Sequence, residues 1–243
     1  MNWFTNKKAL VTGAGSGIGK ALATALASRG CDLFLAGRDL EKLRAAGTVM
    51  EEMGAKATCH QIDISRDSQI KELGKHLSKS IDHLDILIHS AGLFHMGRLG
   101  SAPVKLFDLQ YKTNVRGPYL LTQILLPLLK KSQMGQVVFI NSTAGLRAPA
   151  GVSQYAATKH ALTALAESFR QEANKEGIRV LSVFPGRTAS PMQKRIFDLE
   201  GRVYRPELLL QPGDVAETVL NALSLPSTAE VTDISIRPFS KTY

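Results

Sequence analysis

Residues 12–19 read Thr12-Gly13-Ala14-Gly15-Ser16-Gly17-Ile18-Gly19, set between an apolar run that starts at Lys8 and a helical pattern from Lys20 to Arg29. Glycine has no Cβ, so it admits positive backbone angles and lets another backbone or a ligand come close. A helix that starts in such a turn leaves its first amides open, and open amides attract phosphate oxygens. A glycine turn alone can be a purely structural bend. The strand before and the helix after make it the first βα turn of a nucleotide-binding unit, with Gly13, Ser16, Gly17, Ile18 and Gly19 as candidate phosphate contacts.

Outward from this turn, short apolar runs alternate with longer helical patterns. Strands are expected near Lys8 to Thr12, Asp32 to Ala36, Lys56 to Ile62, Leu84 to His89, Gln136 to Asn141, Arg179 to Phe184 and Thr232 to Ile236. Helices are expected to begin near Gly17, Leu40, Asp67, Pro103, Ser153 and Asp214. Such alternation predicts an α/β fold of Rossmann type, a doubly wound, seven-stranded parallel sheet flanked by helices in a three-layer αβα sandwich. One domain over residues 1–243 is expected. Its least regular part, about residues 191–212, reads as a substrate-loop insertion able to act as a flap.

Composition narrows the partners. The chain is 44% hydrophobic and 21% charged, as expected of a chain that buries one sizeable core. A formal charge of +9 is compatible with nucleic acid, but the lysines and arginines are scattered and lack interleaved aromatics, so no nucleic-acid partner is expected. Cys31 and Cys59 lack the paired spacing of metal or redox sites and read as buried free thiols. No membrane span and no signal-peptide pattern is read, and a cytoplasmic location is expected.

The strand ends carry the remaining chemistry. After strand two, where NAD-selective folds place a carboxylate, the chain has Gly37-Arg38-Asp39. Gly37 leaves room for a 2′-phosphate and Arg38 could grip it, with a surface ion pair as the plain alternative. Asp39 is expected to cap the second helix. Asp63 and Ile64 follow strand three, and Ser90-Ala91-Gly92 follow strand four, while His89 is expected to point into the sheet. Tyr155 and Lys159 share a helix face at i and i+4, Ser142 ends strand five, and Asn114 lies in the long helix before it. A phenol is a poor base at neutral pH, and a neighbouring ammonium favours its phenolate, which suits proton exchange with a carbonyl or alcohol oxygen. Taken singly, the Tyr155/Lys159 pair could be a surface helix pair, Asn114 a helix-kinking polar residue and Pro185-Gly186 a tight turn.

Together these positions resemble the short-chain dehydrogenase/reductase family, in its branch with a Thr-Gly-x-x-x-Gly-x-Gly turn and a Tyr-x-x-x-Lys pair. The resemblance covers the chain from Lys8 to about Arg237. It implies an oxidoreductase with Asn114, Ser142, Tyr155 and Lys159 as its catalytic set, Ser142 and Tyr155 also holding the substrate oxygen. It implies that Lys159 and Tyr155 meet the nicotinamide ribose, that Asp63 touches the adenine, and that Ser90 to Gly92 line the adenosine ribose. Asn114 would hold a water that links Lys159 to solvent. Phe184-Pro185-Gly186-Arg187-Thr188 resembles the nicotinamide loop, with the backbone at Thr188 on the carboxamide. The expected cofactor is NADP(H) in preference to NAD(H), and the expected substrate a small carbonyl or alcohol. A homodimer or homotetramer is expected through the fourth and fifth helices. A catalytically silent NADP(H) sensor or scaffold on the same fold is the alternative, and the complete catalytic set argues against it.

Overall fold

The computed structural model describes residues 2–239, so the outermost positions of the expected 1–243 domain lie outside the described residues. The strands are β1 (Lys8–Thr12), β2 (Asp32–Gly37), β3 (Ala57–Gln61), β4 (Ile86–His89), β5 (Gln136–Ile140), β6 (Arg179–Pro185) and β7 (Asp233–Ile236). They form one parallel sheet in the order β3-β2-β1-β4-β5-β6-β7. The chain winds outward from β1 to β3, then crosses back to β4 beside β1. That reversal opens a crevice at the carboxyl ends of β1 and β4, where doubly wound sheets receive ligands.

The strand period of two sorts the core into two layers. Ala9, Val11, Leu33, Leu35, Ile86 and Ile88 face helices α1 (Gly17–Ala27), α2 (Leu40–Glu52) and α8 (Pro212–Leu223). Leu10, Leu87, Val137 and Phe139 face α3 (Asp67–Ser80), α5 (Gly117–Leu129) and α6 (Ser153–Ala173). Both faces of the sheet are therefore covered, as the near-continuous apolar strands require. The two remaining helices are α4 (Val104–Tyr111) and α7 (Pro191–Leu199).

His89 is buried in the second layer as expected. Its Nε2 lies 2.8 Å from the Thr122 hydroxyl, its ring stacks on Phe139, and burial pushes its pKa down to about 3, so it packs as a neutral ring. Cys31 is fully buried, with its thiol directed at the Phe4 carbonyl and its pKa pushed up to about 12 by burial. Cys59 is only half-buried, because β3 is an edge strand.

At the amino ends of the central strands, Asp85 is 1% exposed and fully surrounded. It accepts from the Lys8 amide at 2.9 Å, the Lys7 ammonium at 3.1 Å and the Ser132 hydroxyl at 2.7 Å, and His83 Nε2 lies 3.3 Å away. Burial by itself would raise its pKa, but these donors outweigh it and hold the carboxyl below its usual range.

Two expectations change. The single long helix read from Pro103 is two helices, α4 and α5, joined by a π-helical turn over Lys112–Arg116 that contains Asn114. The segment read as irregular from Pro191 begins with the regular helix α7, started by the Ser190 hydroxyl accepting from the Gln193 amide and by Pro191 in the first turn. Among the described residues no helix is long and apolar enough to cross a membrane, and no cluster of potential ligands suits a metal ion.

Candidate active site

A cleft of about 520 Å³ runs along the carboxyl ends of the strands. One end is built by the glycine turn. Gly13 sits at φ +71°, and a Cβ there would lie 2.9 Å from the Ala91 backbone, so β1 and the turn after β4 meet only because the residue is glycine. The Thr12 hydroxyl accepts from the amides of Ser90 and Ala91, both at 3.1 Å, and stitches the same junction. Ser16 stands at the N-cap of α1 but makes no side-chain capping bond, so the first amides of that helix remain available to a ligand.

Arg38 follows β2, is exposed, and lines the cleft. Asp39 caps α2 as expected, accepting from the Lys42 amide at 3.1 Å and pairing with the Lys42 ammonium at 2.9 Å. The Lys42 hydrogen bonds hold its carboxyl below the usual range. Lys42 also lines this end, a second cation that the sequence reading missed. Asp63 accepts from the amide and hydroxyl of Ser65 at 2.9 and 2.7 Å, and lines the same wall with Ile64.

At the other end, Ser142 caps the short turn Thr143–Gly145 by accepting from the Ala144 amide at 3.1 Å. Tyr155, in the first turns of α6, has its ring met edge-on by Phe94, centroids 4.9 Å apart. Burial pushes the Tyr155 phenol up to about 12, against a hydrogen bond with Ser142 that lowers it. Lys159 is 4% exposed and lies one turn along, with Nζ 5.8 Å from the Tyr155 ring centroid. Its ammonium donates to the Ile140 carbonyl at 2.9 Å, and burial pushes its pKa down to about 8. Asn141 steadies the helix there by donating to the Lys159 carbonyl at 3.1 Å.

Pro185, Gly186 and Thr188 complete the cleft, with the Gly186 amide tied to the Ile236 carbonyl at 2.8 Å and the Thr188 hydroxyl to the Gly186 carbonyl at 3.0 Å. Of the expected site residues, Gly13, Ser16, Gly17, Ile18, Gly19, Arg38, Asp63, Ile64, Ser90, Ala91, Gly92, Ser142, Tyr155, Lys159, Pro185, Gly186 and Thr188 all line this one cleft. Asn114 stands behind it. Its carboxamide accepts from the Leu93 amide at 2.7 Å and donates to the Leu93 carbonyl at 2.9 Å and the Thr158 hydroxyl at 3.0 Å. Thr158 in turn donates to the Tyr155 carbonyl at 2.7 Å. Sequence reasoning missed Lys42, Phe94 and Thr158 and took Thr12 only as part of the glycine turn; Thr12, Phe94 and Thr158 act through contacts between elements far apart in the chain, whereas Lys42 pairs locally with Asp39.

The short chain dehydrogenase family model matches residues 7–201. An uncharacterized oxidoreductase from Staphylococcus aureus strain MW2 is 32% identical over 240 residues, covering 98% of this chain and 100% of its own length. Among solved structures, a short chain dehydrogenase from Shigella flexneri complexed with NADP superposes with a TM-score of 0.89 at 28% identity, covering 97% of this chain and 99% of that one. An alcohol dehydrogenase from the archaeon Thermococcus sibiricus, complexed with 5-hydroxy-NADP, gives a TM-score of 0.86 at 27% identity, with 96% and 97% covered. With the family model spanning most of its length and the glycine turn, Tyr155 and Lys159 gathered in one cleft, the chain belongs to the short-chain dehydrogenase/reductase family of oxidoreductases.

Proposed function

We propose that the protein is an NADP(H)-dependent oxidoreductase that moves a hydride between the nicotinamide and a carbonyl or secondary alcohol, with Tyr155 as the general acid and base. The observation that carries this reading is the single cleft with uncapped α1 amides and Arg38 at one end and Ser142, Tyr155 and Lys159 at the other. A dinucleotide fits these residues. Gly15 and Gly17 line the cleft beside the open first amides of α1, where a pyrophosphate needs donors, and the exposed Arg38 supplies a cation where a 2′-phosphate would lie. The NADP named in the Shigella flexneri and Thermococcus sibiricus structures supports the same preference.

When bound, the cofactor supplies or accepts the hydride. The protein's own groups handle the proton and the geometry. Ser142 holds the substrate oxygen by hydrogen bond and turns its carbon toward the cleft. Tyr155 gives its phenolic proton to the oxygen as the carbonyl carbon gains hydride, and takes the hydroxyl proton back in the opposite direction. Lys159, kept under-partnered beside the phenol, favours the phenolate electrostatically and offers its other N–H groups to ribose hydroxyls. Asn114 is a positioning residue, holding the Leu93 backbone and, through Thr158, the turn that carries Tyr155.

Fluorescence titration with NADPH and NADH, followed by NADPH oxidation against a panel of ketones, aldehydes and quinones, tests this. Tighter NADPH binding with turnover of a panel member is expected. Binding of neither nucleotide would overturn it.

A further inference from the structure

We infer, resting on the oxidoreductase reading above, that the substrate is an uncharged carbonyl compound or its alcohol carrying an apolar, ring-sized substituent. Phe94, Met96 and Val152 line the cleft from one side, and Met192 and Ile196 line it from α7. Phe94 presents its ring to Tyr155 itself, so an aromatic surface flanks the point of proton transfer. Its segment is fixed in place. Gln110, fully buried, accepts from the His95 amide at 2.9 Å and donates to Gln154 on α6, and Gly97 bridges to Val152.

The opposite side of the mouth is α7, which brings Met192 and Ile196. Helix α7 and the Phe94 segment border the same cleft, since Met192 and Ile196 line it together with Phe94 and Met96. Arg195 is exposed and outside the cleft lining. Two methionines and an aromatic edge suit a flat, polarisable substituent whose shape they can follow.

Charge is excluded by the same wall. Besides Lys159, the charged side chains lining this end are Arg187 and Glu200, and they pair with each other in a two-pronged contact of 2.9 and 2.7 Å. The Arg187 guanidinium also lies 4.9 Å over the Phe197 ring. A charge of either sign carried on the substituent would leave water for an apolar wall where Arg187 and Glu200 already satisfy each other, while Lys159 stands at the carbonyl end beside Tyr155.

The test compares para-methylacetophenone with para-acetylbenzoate, near-equal in shape and different in charge. Binding of each to the NADP⁺-saturated protein is measured by saturation-transfer NMR, which needs no turnover. The neutral ketone should bind at least about tenfold more tightly. Glu200→Gln, which removes the carboxylate from Arg187, should narrow that gap by about fivefold, read as the ratio of the two ketones' affinities. Phe94→Ala should raise the KM of the neutral ketone by about tenfold while leaving NADPH affinity unchanged.

Equal or tighter binding of the benzoate to the wild-type protein would overturn the inference, as would failure of both ketones to bind. An unchanged gap in Glu200→Gln would overturn the assignment of the discrimination to this pair. If the neutral ketone binds but no member of the ketone, aldehyde and quinone panel oxidises NADPH, the specificity inference stands and the oxidoreductase reading falls.

Discussion

The two ends of the central strands each bury a charged side chain, and they treat it in opposite ways. At the amino ends Asp85 collects donors from Lys8, Lys7 and Ser132, with His83 beside it, and its pKa falls. At the carboxyl ends Lys159 has one hydrogen bond, to the Ile140 carbonyl, and among the described residues no carboxylate pairs with it, so its pKa drops to about 8. A buried charge with all its partners fixes structure. A buried charge kept short of partners is poised to interact with something that arrives, and the tyrosine it sits beside is the group proposed above to move the proton.

Breaking the proposed chemistry at the carboxyl end should give the largest effect. Tyr155→Phe is expected to lower kcat by about a thousandfold with little change in NADPH affinity, read by steady-state kinetics beside fluorescence titration. Retained turnover would show that the under-partnered end is not the proton-transfer site. At the other end, Asp85→Ala should destabilise the fold by about 3 kcal/mol, because Lys7 and the Lys8 amide lose their acceptor, while kcat per folded molecule is kept. Urea unfolding and active-site titration check the two halves of that statement.

Lys159→Met sharpens the contrast. In the folded protein burial pushes the Lys159 pKa down to about 8, against about 10.5 for the side chain in the unfolded chain. The unfolded state therefore carries more protons in that window, and stability rises with pH across it. Below it the charged, buried ammonium weakens the fold, so Lys159→Met should be more stable at pH 7 by about 2 kcal/mol, even after the lost bond to Ile140. The variant should also lose the rise in stability between pH 8 and 10. Tyr155 opposes it only above pH 10, because its folded pKa is raised to about 12 and that contribution falls away as pH climbs. The smallest effect is expected at an exposed charge: Arg38→Asp should weaken NADPH binding by about tenfold more than NADH binding. Equal losses would mean that Arg38 does not read the phosphate.

Much of this was legible in the sequence because periodicity and turn chemistry are local. The apolar runs placed each strand within a few residues, Asp39 announced the start of α2, and the strand period sent His89 inward. The glycine turn and the Tyr155, Lys159 and Ser142 spacing led to one cleft. The π-helical turn at Asn114 was not legible, since widening a helix by one residue hardly disturbs an apolar pattern that continues from α4 into α5. Helix α7 was not legible although Ser190 and Pro191 are ordinary start signals, because the arginines and prolines around it break up the apolar pattern. Arg187 with Glu200, and Phe94 with Tyr155, join elements that no local pattern links.

The segment that carries α7 also closes on itself. Thr188 and Leu210 form a bridge, with the Ala189 amide donating to the Leu210 carbonyl at 2.8 Å and the Leu210 amide to the Arg187 carbonyl at 3.1 Å. Inside that closure, the Tyr204 hydroxyl accepts from the Ser190 amide and Phe197 meets Tyr204 edge-on. A loop whose two ends already touch can be exchanged as a cassette without re-aiming the strand that bears it. On the function proposed above, exchange of residues 191–209 would change the substrate wall while leaving the cofactor turn from Pro185 to Thr188 in place.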